Sequence, residues 1–186
     1  HMSNDTATAV MDIVEARNYS GVITSHSWMR DGKNGVVHDN TRRLIEAGGF
    51  STPYNSDANS VAGSISRYLD IVEQTPYLNG VGFATDMSGL GGQAGPRYDT
   101  DTDPLEYPYT SEFGLVFDKQ VSGNRVFDLN QDGIAHYGLV ADHLQDIREQ
   151  APQRIYESVM NSAEAYLQMW ERAESSTNTA HYDPLN

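Results

Sequence analysis

The chain has 186 residues, a formal net charge of −14 and no cysteine. Lysine occurs only at Lys33 and Lys119, so there is no basic stripe to displace counterions from phosphate, which excludes nucleic acid and anionic membranes as partners. Without cysteine there is no disulfide, thiolate–metal or Cys-nucleophile chemistry, and any metal falls to His, Asp, Glu or backbone oxygen; the compartment is left open.

The length fits one domain with its own core, and no apolar run approaches the roughly 20 residues that span a bilayer. Residues 5–17 predict a helix capped by Asp5 or Thr6, with Ala7, Val10, Met11 and Val14 on one face. Val22 to Ser25 form a short β run that ends on His26. After a polar loop, a second helix over about 39–47, capped by Asp39 or Asn40, stops at Gly48-Gly49. "GFSTPYNSD", 49–57, reads as a strand ending at Pro53. A third helix, about 58–74, carries Val61, Ile65, Tyr68, Leu69 and Val72. "NGVGFATDMSG", 79–89, reads as a third strand, with Asp86 near its end. The pattern then breaks from 88 to about 132, apart from a hairpin expected around Ser122-Gly123-Asn124. Two helices, about 139–149 and 152–173, close the domain. Residues 174–186 are expected to form a flexible tail.

Strands alternating with helices imply βαβ units and a parallel sheet. The fold class expected is α/β: a parallel (β/α) half-barrel related to a TIM barrel, over residues 1–173. It has a long inserted loop and hairpin at 88–132 and two C-terminal helices. In such folds functional groups gather at the C-terminal ends of strands. His26, Tyr54, Asn55 and Asp86 all stand at such ends. Each has a bland reading beside this one. His26 can be a buried imidazole bonded to a carbonyl, and Asp86 can cap the turn at Ser88-Gly89. Together, an imidazole and a carboxylate are natural ligands for a divalent ion such as zinc.

"DLNQDG", 128–133, matches the start of a calcium loop through Asp128, Asn130, Asp132 and Gly133. Its twelfth position is Leu139, where a bidentate Glu belongs, so an Asx-rich turn is the stronger reading. His136 and Tyr137, in "AHYG", precede a helix and either enter the mouth or form a packing cluster at the helix start. His143 reads as a surface residue and His38 as a capping or surface residue. "GLGGQAG", 89–95, reads as flexible loop, because no helix follows at once to cradle a phosphate.

With these residues in hand, the chain resembles the membrane (renal-type) dipeptidase family, metal-dependent hydrolases built on a (β/α)8 barrel. "GVITSHSW" is similar to that family's Ser-His-Ser strand, whose histidine binds metal. "GVGFATDMSG" is similar to its last barrel strand, whose first aspartate sits at the metal centre. "FSTPYNS" falls where the family has an intervening strand ending near Asn and aromatic residues. The resemblance covers the C-terminal half of a family member. The family's His-x-Asp on the first strand and its bridging Glu have no counterpart here, and Ser88 replaces the second Asp of the last-strand motif.

The resemblance implies a metal-dependent hydrolase of amide or peptide-like bonds. His26 would ligate a divalent metal, most simply zinc, and Asp86 would orient or deprotonate the attacking water. His1 is either the second metal ligand or a vector remnant. Tyr54, Asn55, Arg30, His136 and Tyr137 are the expected substrate-binding residues for a small-molecule or peptide-like substrate. A half-barrel leaves sheet edges open, so a homodimer or a complementing half-barrel chain is expected to cover them. The alternative is a non-catalytic binding or scaffold module that keeps the barrel framework.

Overall fold

The computed structural model describes residues 2–25, 39–53, 57–82, 84, 94–97 and 99–179. It is mixed α/β and mostly helical, with short strands in small sheets and no closed barrel among the described residues. Contacts divide the chain into two units. Unit 1 is 1–54, 64–84 and 157–186; unit 2 is 55–63 and 85–156.

Unit 1 opens with α1 (Asn4–Ala16), capped not by Asp5 or Thr6 but by Ser3, whose hydroxyl accepts from the Thr6 N–H at 3.2 Å. Its Ala7, Met11 and Val14 stripe is buried, as the spacing requires. The chain then forms β1 (Ile23–Ser25), α2 (Asp39–Glu46) and β2 (Phe50–Thr52). α2 stops where its glycines stand. Gly48 takes φ +72, open to few residues but glycine, and the Gly49 N–H returns to the Leu44 carbonyl at 2.9 Å. α3 (Ala58–Val72) follows, with Asp57 accepting from the Ser60 N–H at 3.0 Å.

β1 and β2 are parallel, with Ile23 opposite Phe50, Thr24 opposite Ser51 and Ser25 opposite Thr52. On the other edge of β2, Gly82 donates to the Ser51 carbonyl and Ala84 to the Pro53 carbonyl, at 3.1 and 3.2 Å. Both partners ascend together, so the third segment also runs parallel. Glycine permits close approach behind it: a Cβ on Gly80 would stand 2.8 Å from the Asn161 carbonyl oxygen. Two helices cover this part, α6 (Gln153–Met160) and α7 (Ser162–Thr179), where sequence predicts one. The break at Asn161 carries no Gly or Pro; the Asn161 side chain instead donates to the Asn79 carbonyl at 3.1 Å. α7 is helical to Thr179, past the expected end at 173.

Unit 2 contains the segment expected to be irregular. It holds two antiparallel hairpins, β3 (Tyr109–Thr110) with β4 (Val116–Phe117) and β5 (Gln120–Ser122) with β6 (Arg125–Phe127). Short α4 (Leu129–Asp132), a 3₁₀ turn over Tyr137–Leu139 and α5 (Val140–Gln150) follow. Ala94, Leu105, Tyr109, Phe127, Leu129, Ile134 and Leu139 form its own core.

Candidate functional site

The parallel ladder of unit 1 leads toward the residues singled out in the sequence. Strand pairing sets Ser25 level with Thr52, and the Ala84 N–H is bonded to the Pro53 carbonyl, so the last described residues of the three segments stand level. In the sequence, His26 follows Ser25, Tyr54 and Asn55 follow Pro53, and Asp86 stands two residues after Ala84. His26, Arg30, Tyr54, Asn55, Asp86 and His1 all lie outside the described residues, as does His38. At the edge itself the Thr52 hydroxyl donates to the Thr24 carbonyl, and Ser51 is wholly buried between its neighbours.

A hollow of unit 1, about 1020 Å³, is at the other end of that sheet. It is lined by the C-terminal ends of α1 and α2, which lead into the N-terminal ends of β1 and β2, and by one side of α7. Its cations are already committed. Arg43 donates to Glu15 at 2.6 Å and to Asp12 at 2.7 Å, which pushes the guanidinium pKa up and holds the Glu15 carboxyl below its usual range. Arg172 donates to the Gly48 carbonyl and lies over the Tyr77 ring at 4.5 Å. The hollow is thus an ion-paired cleft.

In unit 2, His136 and Tyr137 begin the 3₁₀ turn. The His136 Nδ1 accepts from the Gly138 N–H at 2.9 Å, and its ring packs on Phe127 with centroids 4.9 Å apart. This is the packing-cluster reading of that motif. A neutral ring whose Nδ1 lone pair is occupied carries its proton on Nε2, so His136 presents a donor and not a metal-binding lone pair. Tyr137 is 70% exposed.

The oxygens of "DLNQDG" are accounted for by the protein itself. Asp128 caps α4 by accepting from Asn130 N–H at 2.9 Å, and its other oxygen meets the Lys119 ammonium at 2.7 Å. The Asn130 side chain makes two bonds to the Leu105 backbone. Asp132 accepts from the Asp128 N–H and from Arg125, which keeps its carboxyl below the usual range. A cap and an Asx turn use the same residue types as a calcium loop, and here the cap prevails.

The sequence reading missed a buried ionisable face on α5. Asp142, His143 and Asp146 are each 2% exposed, which corrects the surface reading of His143. Arg97, itself 4% exposed, meets Asp103 at 3.2 Å, Asp146 at 3.3 Å and Glu149 at 2.7 Å. The contact with Asp146 is an ion pair without hydrogen-bond geometry. Burial raises Asp146 to about 6 against the pull of Arg97, and it lowers His143 to about 4 despite Asp57. Burial also raises Asp142, outweighing the Tyr109 and Tyr107 hydroxyls beside it. Asp142 Oδ1 and the Tyr109 hydroxyl both lack a hydrogen-bond partner, so the Tyr109 influence is that of a nearby dipole and not of a formed bond. Both tyrosines are pushed above their ordinary range by burial and by Asp142.

No protein-family model, no curated protein and no solved structure matches this chain. The site therefore rests on its own chemistry. Among the described residues no three His, Asp or Glu side chains are grouped to hold a metal ion, and no helix is long and apolar enough to cross a membrane. At neutral pH the α5 face presents a neutral imidazole and carboxylates balanced by one buried guanidinium.

Proposed function

We propose that unit 1 is the C-terminal half of a (β/α) barrel and contributes to a metal-dependent hydrolase of amide or peptide-like bonds. One observation supports this reading: three consecutive parallel segments stand level at Ser25, Pro53 and Ala84, with His26, Tyr54 and Asn55 next in sequence and Asp86 two residues on. Adjacent parallel strands joined through helices are the unit from which such barrels are made. An imidazole and a carboxylate suit zinc, with His26 and, where native, His1 as its holders. When bound, the ion would lower the pKa of a water toward 7 and polarise the scissile carbonyl.

In this reading Asp86 takes the proton of the attacking water, and Tyr54, Asn55 and Arg30 contact a small-molecule or peptide-like substrate. Among the described residues β1 and the third segment each pair on one side only, and in this reading the rest of the barrel, from a second copy or a complementing chain, pairs the other. The deciding experiment measures bound metal and amide hydrolysis on the purified chain and on Asp86→Ala. Bound divalent metal with activity lost in Asp86→Ala is expected. Protein that takes up no zinc, and hydrolyses nothing after zinc is supplied, would leave a non-catalytic module in its place.

A further inference from the structure

We draw no further inference here: the strongest candidate, the cleft of unit 1 lined by Glu15, Glu46, Glu164 and Glu171, is a cluster of acidic residues whose arginines are already taken up by Glu15, Asp12 and the Gly48 carbonyl, and none of its described lining side chains is buried without a partner, so nothing in the structure names what it would bind.

Discussion

Unit 1 and unit 2 bury different kinds of polar group. The buried polar side chains of unit 1 are Thr24, Asn40, Thr41, Ser51 and Ser158, all uncharged. Those of unit 2 are Arg97, Asp128, Asp142, His143 and Asp146, all ionisable. Unit 1 keeps its ions at the cleft, where Glu15 and Asp12 remain half or more exposed while they hold Arg43. A charge left in contact with water contributes little, whereas one taken from water must be matched or neutralised. The two units should therefore respond differently to the loss of one cation, to pH and to the loss of one cap.

The largest difference is expected on removing an arginine from each. Arg97→Met leaves Asp146 buried without its counter-ion, and Glu149 and Asp103 lose the group between them. Breaking a buried pair from one side costs about 3–5 kcal/mol. Arg43→Met in unit 1 removes an equally well-bonded guanidinium, but its partners return to solvent, and the loss should be several-fold smaller. Urea unfolding of the two variants, followed by hydrogen exchange to separate the units, checks this. Equal destabilisation would end the contrast between buried and exposed charge.

A second test uses pH, and its signs oppose. Asp146 titrates at about 6 in the folded chain against 3.8 unfolded. The stability this contributes is full below pH 3.8 and is lost as pH rises through 6. His143 titrates at about 4 against 6.5. Its contribution is full above pH 6.5 and is lost as pH falls through 4. Each swing is on the order of 3 kcal/mol, so in the wild-type chain they largely offset one another between pH 4 and 6.5. Asp146→Asn should expose a stability that climbs with pH across this window. His143→Leu should expose one that declines, with raised Asp142 adding to the decline. Thermal melts at half-unit pH steps read both slopes; two variants sloping the same way would show that the α5 face does not titrate as its burial dictates.

That face was legible in the sequence. Leu139, His143, Asp146 and Ile147 follow helical spacing, which puts the imidazole and the carboxylate on the stripe of two fully buried aliphatics. A default preference for exposed histidine hid it. α1 and α2 were readable for ordinary reasons, an apolar stripe in one and a glycine stop in the other. The third parallel segment was readable as a strand, with Gly80 and Gly82 placed for close packing against Asn161 and Phe50. The hairpin β3–β4 was not readable, because its strands are two residues each and alternation needs more than that to register. The break between α6 and α7 was hidden too, since an Asn bonding to a distant carbonyl leaves no local signal. For the site, the sequence supplies the residues while the described structure supplies the level strand ends that precede them.

The smallest difference concerns caps. Ser3 caps α1 of unit 1 at an exposed helix start, and Ser3→Ala should cost about 0.5 kcal/mol. Asp128 caps only the four-residue α4, yet it is 7% exposed and also holds the Lys119 ammonium. Removing it unties β5's leading lysine from α4 and leaves the Asn130 N–H without its acceptor. Asp128→Ala should therefore cost about 1–2 kcal/mol, the upper part of the range for caps. The same accounting says what calcium does. With the side-chain oxygens of Asp128, Asn130 and Asp132 already accepting from Lys119, Leu105, Arg125 and backbone amides, the ion must break those bonds before it gains its own. Melting in millimolar calcium and in chelator should coincide. A calcium-dependent rise in melting temperature that disappears in Asp128→Ala would mean that the loop prefers the ion to its own cap, and that unit 2 matches its buried charge with a metal as well as with Arg97.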